Sequence, residues 1–247
     1  MMTPAREFCV AVDSVLRYNL TSTLQPRRNH GSHAVSRAYV FGDVHGCYRE
    51  LVRLMDRIGP DPDDRVISVG DFVDRGPNSP ACTAFVMHHE SVMGNHEYKH
   101  VRGIMSPAQL EARAQFHEFG EPMGVSYVSP VNFMAGLPFY LELDDAIIVH
   151  GGLEHGIPMD AQDPLVLVGG MSRRAICGID EKTNLPYWCD RYPRTAKPVV
   201  FGHLRAGSGL PSRDNLFPLD TGCVAGGSLT AVSIPDFRVY QVRGRGR

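Results

Sequence analysis

Long apolar runs are missing from this 247-residue chain. The longest, such as residues 146–149, extend over a few residues, whereas a membrane-spanning helix needs about 20 consecutive apolar residues. The sequence therefore predicts no membrane-spanning segment and no membrane partner.

Residues 1–36 lack a sustained hydrophobic period and become polar towards their end. Their apolar stretch, residues 8–12, is interrupted by Asp13, which makes a poor secretory core. We expect a flexible N-terminal extension on a cytoplasmic protein. A cleaved targeting segment within residues 1–36 is the less supported alternative.

Paired cysteines and a strong charge excess are missing as well. The six cysteines contain no C-x-x-C pair, so neither a structural zinc site nor a dense disulfide framework is indicated. The formal net charge of -2 lacks the basic excess of a polyanion-binding protein. Arg243, Arg245 and Arg247 in the terminal RGRGR are interpreted as a solvated end. Stable nucleic-acid binding is therefore not expected.

The chain does contain an alternation of short apolar runs with helical patterns. Residues 39–41 are a strand candidate, after which Leu51, Leu54, Met55 and Ile58 recur at helical spacing. A second strand is predicted over 66–69, followed by a helix with Ser79 as its N-cap. This alternation predicts an α/β fold.

The pattern continues with a third strand at 92–93 and a helix over 107–119. The apolar stripe of that helix is weak and consists of Leu110, Ala114 and His117. Further strands are predicted over 139–143, 146–149, 199–201, 216–219, 229–234 and 238–242. Strand-helix units followed mostly by strands favour layered sheets with helices outside.

Five of these apolar runs end in glycine next to side chains that can bind metals. The stretches are GDVHG (42–46), GD (70–71), GNHE (94–97), HGG (150–152) and GH (202–203). In open α/β sheets, ligand sites gather at the carboxyl ends of the strands, so we expect the five loops to form one site. Its carboxylates, imidazoles and amide oxygen suit a pair of divalent transition-metal ions.

The ordered series GDVHG, GDFVDRGP, GNHE, HGG and GH resembles the motifs of the phosphoprotein phosphatase branch of the calcineurin-like metallophosphoesterases. The stretch from Leu219 to Ala231 is similar to the C-terminal part of small bacterial and phage-type members. The resemblance implies a two-sheet α/β/β/α sandwich, which we assign to residues 37–247. It also implies a binuclear centre that activates water for attack on phosphorus.

The family pattern implies a role for each motif residue. Asp43 and His45 would bind one metal, Asp71 would bridge, and Asn95, His150 and His203 would bind the other. Arg75 and Asn95 would hold phosphate oxygens, and His96, oriented by Asp74, would protonate the leaving oxygen. Manganese is the expected metal, with iron or zinc as alternatives.

The family usually supplies a second phosphate-binding arginine between the HGG and GH motifs. Arg173 is preferred here, with Arg191 as the alternative. The remaining histidines, His88, His89, His100, His117 and His155, are interpreted as surface residues, and Trp188 as a core residue.

We therefore expect a phosphoesterase whose partner is a phosphorylated substrate, in the first place a phosphoserine or phosphothreonine protein. Symmetrical hydrolysis of a dinucleoside polyphosphate such as diadenosine tetraphosphate, or removal of a phosphate from an RNA end, is the alternative within the enzyme class. An inactive metal-binding or RNA-binding module is the alternative from another class. The presence of Asp74, Arg75 and His96 counts against such a module, since binding alone needs no leaving-group acid.

Overall fold

The computed structural model describes residues 36–120, 127–183, 185–205 and 213–245. The expected extension, residues 1–36, therefore lies almost wholly outside the described residues, as does Arg247. None of the helices in the described ranges combines the length and the apolar character needed to cross a membrane.

Two sheets form the centre of the fold. The first has the order β11-β10-β1-β2-β3, with β1, β2 and β3 parallel and β10 and β11 antiparallel. Its strands are β1 (Ala38–Phe41), β2 (Arg65–Ser68), β3 (Glu90–Ser91), β10 (Ser228–Ile234) and β11 (Val239–Arg243).

The second sheet has the order β4-β5-β8-β9, in which β5, β8 and β9 are parallel. Its strands are β4 (Tyr140–Glu142), β5 (Ile147–Val149), β8 (Val199–Phe201) and β9 (Leu216–Pro218). A small hairpin of β6 (Ile179–Asp180) and β7 (Leu185–Pro186) was not expected from the sequence.

Side-chain alternation along the strands shows that the sheets face each other. Val40 of the first sheet packs in one buried cluster with Ile148 and Val200 of the second. The neighbouring Phe41 and Phe201 point to the opposite faces, into separate helix-covered clusters. Because successive strand residues point to opposite sides, this places helices outside both sheets and confirms the α/β/β/α sandwich.

The helices are α1 (Tyr48–Ile58), α2 (Ser79–Val86), α3 (Asn95–Val101), α4 (Pro107–Gln115), α5 (Val128–Ala135), α6 (Pro164–Leu167), α7 (Arg174–Cys177) and α8 (Tyr187–Arg191). In α1 the predicted stripe is confirmed, since Leu51, Leu54 and Met55 are buried. The N-cap of α2 is Asn78, whose side chain accepts the N–H of Ala81, so the prediction of Ser79 was wrong by one residue.

The predicted apolar stripe of α4 was wrong. Leu110 is 53% exposed, and the buried residues of the helix are Gln109 and Ala112. A buried glutamine is tolerated because its amide is hydrogen-bonded, here to Asp74 and to Ser106. The third predicted strand was also displaced, since β3 ends at Ser91. Trp188 is buried in the core, as expected.

Candidate metal centre and active site

The five motif loops follow the carboxyl ends of β1, β2, β3, β5 and β8. Six non-glycine residues within the described ranges have positive φ angles, and five of them belong to these loops: His45, Asp71, Asp74, Arg75 and His203. Such backbone conformations are strained and persist where surrounding contacts enforce them. Their concentration here marks the loops as a functional site.

Glycines in these loops allow the backbone of one loop to approach the side chains of another very closely. A Cβ atom added at Gly94 would overlap Asp71, and one added at Gly202 would overlap Asp43 Oδ1. The glycines are therefore needed to bring the carboxylates of different loops together.

Asp71 lies at the centre of the assembled loops. Its Oδ2 is 3.6 Å from His45 Nε2, and its Oδ1 is 3.4 Å from His150 Nε2. His45 Nε2 is in turn 3.9 Å from Asp43 Oδ2. The two oxygens of one carboxylate thus face two different groups of polar atoms, which is the arrangement expected of a bridging ligand.

Asn95 joins the second group. Its Oδ1 lies 3.1 Å from His150 Nε2 and 3.0 Å from His203 Nδ1. Asp43 accepts the backbone N–H of His203 at 3.2 Å and thereby connects the loops after β1 and β8. The structure brings together all six side chains that the motif pattern suggested as metal ligands.

Two of the imidazoles are oriented by backbone carbonyls. His45 Nδ1 donates to the carbonyl of Val73 at 2.9 Å, and His150 Nδ1 donates to that of Val69 at 2.8 Å. With a proton on Nδ1 bound to the carbonyl, the Nε2 atom of each ring faces the site. Metal-binding histidines are commonly held in this way by a partner on the other ring nitrogen.

The electrostatics of the imidazoles also suit metal binding. Burial lowers the pKa of His45 to about 3, and burial together with the nearby His150 lowers that of His203 to about 3. Both rings are therefore neutral near pH 7, which is the form that binds a metal. His150 differs: although burial alone would lower its pKa, the carboxylates of Asp71 and Asp43 raise it to about 10, so this ring must lose its Nε2 proton to bind a metal.

Five buried carboxyl groups cluster at this end of the sheets: Asp43, Asp71, Asp74, Glu97 and Asp220. Burial, with Asp220 nearby, raises the pKa of Asp43, and burial, with Asp71 nearby, raises that of Glu97 to about 8. Several buried carboxylates in contact are costly unless cations compensate them. Carboxylate oxygens and imidazole nitrogens here form two groups, His45–Asp71–His96 and Asp43–Asp71–His150. Within each group the ligand atoms lie within 4.8 Å of one another, and the two groups share Asp71. The residues present therefore fit divalent metal ions.

His96 and Asp74 form a buried pair, with His96 Nδ1 2.6 Å from Asp74 Oδ2. Although burial would raise the pKa of Asp74, hydrogen bonds from His100 and His96 lower it to about 2. His96 Nε2 is buried without a hydrogen-bond partner among the described residues and lies 3.9 Å from Asp71 Oδ2. An imidazole nitrogen that has no hydrogen-bond partner among the described residues and lies beside Asp71 is suited to exchange a proton with a bound molecule.

Arg75 approaches the same space from the GDFVDRGP loop. Its Nη1 donates to His45 Nε2 at 2.8 Å. The guanidinium therefore lies against the carboxylate and imidazole cluster, where a phosphate oxygen could accept from it.

The surroundings of the two candidates for a second phosphate-binding arginine differ from those of Arg75. Arg173 Nε donates to Asp163 Oδ2 at 2.5 Å, and its side chain is 42% exposed. Arg191 is exposed at the end of α8. Phosphate binding by either residue stays a prediction.

Sequence reasoning missed several residues that support the site. The interpretation of His100 as a surface residue was wrong, because it is buried and its Nε2 lies 2.8 Å from Asp74 Oδ1. Its spacing of four from His96 on one helix was the available signal, since such residues share a face. Glu97 accepts the N–H groups of Asp71, Phe72, Val73 and Gly94.

Fold and site together define a metal-dependent phosphoesterase. The chain belongs to the calcineurin-like phosphoesterase family, whose sequence model matches residues 36–204. It is therefore a hydrolase of phosphate esters that uses divalent metal ions.

Two curated relatives are bis(5'-nucleosyl)-tetraphosphatases. A symmetrical bis(5'-nucleosyl)-tetraphosphatase from Methylobacillus flagellatus is 26% identical over 83% of this chain and 94% of the relative. An asymmetrical bis(5'-nucleosyl)-tetraphosphatase from a Geobacillus species is 30% identical over 82% of this chain and 92% of the relative.

Solved structures share the fold. A protein provisionally assigned as a diadenosine tetraphosphatase has a TM-score of 0.65 and 22% identity, with 86% of this chain and 95% of that chain covered. A protein serine/threonine phosphatase from Saccharomyces cerevisiae has a TM-score of 0.56 and 16% identity, with 97% and 90% covered.

Proposed function

We propose that this protein hydrolyses bis(5'-nucleosyl) tetraphosphates symmetrically, giving two nucleoside diphosphates. The curated relatives support this substrate class over a phosphoserine or phosphothreonine protein, which the motifs alone had placed first. The chemistry is supported by one observation above all: the two oxygens of Asp71 face two groups of ligand atoms, at 3.6 and 3.4 Å.

The proposed ligands form two sets that share Asp71; they follow the motif pattern, whereas by distance alone Asp43 lies with His150 and His96 lies with His45. Asp43 and His45 complete the first set, and Asn95, His150 and His203 complete the second. Manganese is the first choice for these mixed oxygen and nitrogen donors, with iron or zinc as alternatives. When bound, two such ions supply Lewis acidity and lower the pKa of water.

The remaining residues bind the substrate and move protons. Arg75, next to His45 Nε2, and Asn95, which contacts His150 and His203, would bind oxygens of the reacting phosphoryl group. His96 would give its Nε2 proton to the leaving oxygen, and Asp74 would hold the ring through Nδ1. Water attacks phosphorus, and the bond to the leaving oxygen breaks with its electron pair on that oxygen.

A groove beside Arg75 has room for part of a nucleotide. Its volume is about 430 Å³, and it is lined by Arg75, Pro107, Ala108, Glu111 and Val224. The groove is largely open to solvent, three of its five lining residues are apolar, and Glu111 adds a carboxylate to one side. An apolar wall next to a phosphate-binding arginine suits a nucleoside attached to the phosphate chain.

The test is a product analysis with protein that was stripped by a chelator and reloaded with manganese. Diadenosine tetraphosphate, a phosphoserine peptide and an RNA with a terminal phosphate are compared, with Asp71→Asn as the inactive control. ADP as the only nucleotide product is expected.

The other outcomes are equally specific. ATP and AMP as products would show that the cleavage is asymmetrical rather than symmetrical. Preference for the peptide would restore the protein phosphatase assignment, and preference for the RNA would assign the protein to RNA-end chemistry.

A further inference from the structure

Both carboxylate oxygens of Asp74 are occupied by histidines of one helix. His96 Nδ1 lies 2.6 Å from Oδ2, and His100 Nε2 lies 2.8 Å from Oδ1. The two histidines are four residues apart on α3, so they share a face of the helix. All three side chains are buried.

Tyr127 contacts the nitrogen of His100 that faces away from Asp74. Its hydroxyl contacts His100 Nδ1. Burial raises the pKa of Tyr127 to about 12, so the hydroxyl keeps its proton near pH 7 and can donate it to Nδ1. His100 then carries its own proton on Nε2 and donates to Asp74.

Gln109 holds the other side of the carboxylate. Its Nε2 donates to Asp74 Oδ2, and its Oε1 accepts the backbone N–H of Ser106 at 3.3 Å. Because the carbonyl of this amide is engaged by Ser106, its N–H groups are directed at Asp74. Asp74 thus receives donors from two helices, α3 and α4.

We propose that His100, held by Tyr127, is a positioning residue for the proton transfer from His96. With Oδ1 fixed by His100, Asp74 cannot rotate away from His96, and the buried Nε2 of His96 stays directed into the site. His100 transfers no proton itself. The inference rests on the proposed role of His96 as the acid, but not on the dinucleotide as the substrate.

The test compares two substrates whose leaving groups differ in basicity. In His100→Leu, kcat for an alkyl phosphate should fall about 10- to 100-fold, because its leaving oxygen needs a proton. The kcat for 2,4-dinitrophenyl phosphate, whose leaving group departs as an anion, should change less than about 3-fold, with KM unchanged for both. His100→Gln, which can still donate to Asp74, should recover part of the alkyl phosphate rate.

Tyr127→Phe should show the same selective loss to a smaller extent. His88→Leu, at an exposed position, should change neither rate. Equal falls for the two substrates in His100→Leu would overturn the proposal, since a merely structural role reduces the fraction of active enzyme for both.

A spectroscopic measurement on the full chain does not depend on turnover. Nitrogen-15 NMR of the imidazoles should show His100 with its proton on Nε2, and in His100→Leu the Nδ1–H resonance of His96 should move upfield. His100 protonated on Nδ1, or an unchanged His96 resonance, would overturn the proposal. If diadenosine tetraphosphate is not cleaved but the alkyl phosphate loss is selective, the proposed substrate fails and the role of His100 stands.

Discussion

The buried carboxylate of Glu97 accepts the backbone N–H of Asp71 at 2.7 Å. It also accepts the N–H groups of Phe72, Val73 and Gly94 at 3.1 to 3.3 Å. One side chain therefore satisfies four amides of two motif loops and holds Asp71 between the two groups of ligand atoms.

Above about pH 8, where Glu97 is ionised, Glu97→Gln should weaken this arrangement, because its NH2 group replaces an oxygen that accepts hydrogen bonds. We expect metal affinity to fall about 10- to 100-fold, as for other residues that orient metal ligands. The free energy of unfolding should fall by about 1 to 3 kcal/mol, the cost of leaving buried amides unsatisfied. Isothermal titration with manganese and urea unfolding measure the two effects.

Glu181→Gln is the matched control for this change, since Glu181 is exposed. Manganese affinity in Glu97→Gln equal to that of the control would show that Asp71 is held without Glu97.

The low pKa of Asp74 predicts an acid-dependent loss of stability. Its folded pKa of about 2 lies below the ordinary value of 3.8, so its contribution to folding is complete above about pH 5 and is lost as the pH falls towards 2. The full contribution is on the order of 2 kcal/mol, of which about 1 kcal/mol is lost by pH 3.

Urea unfolding of metal-free protein between pH 5 and pH 3 tests this dependence. The wild type should lose about 1 kcal/mol more than Asp74→Asn over that range, since the variant lacks the titrating group. Parallel pH curves for the two proteins would mean that Asp74 titrates as it does in the unfolded chain.

Arg75→Lys keeps the positive charge but removes the planar fork that matches phosphate geometry. We expect kcat/KM for diadenosine tetraphosphate to fall about 100-fold, which is typical for the loss of one donor to a reacting oxyanion. Arg57→Lys, at an exposed position on α1, is the control. Steady-state kinetics compare the two variants. Equal kcat/KM values would show that Arg75 does not bind phosphate.

The sequence allowed the loops of the candidate metal site to be predicted because glycine and polar side chains follow apolar strands at Asp43, Asp71 and His150. Strand ends meet at one edge in this class of fold, so local patterns were enough. Gln109 could not be predicted, because its burial depends on Asp74, a partner 35 residues away. Leu110 was assigned to the core for the same reason, since apolar spacing alone does not reveal which face of a helix meets a polar site.

The most direct measurement is a crystal structure of the manganese-loaded protein with anomalous diffraction. Two anomalous peaks are expected, one beside each carboxylate oxygen of Asp71, the first near His45 and the second near His150, with both lost in Asp71→Asn. A single peak, or two peaks that do not share Asp71, would contradict the binuclear site.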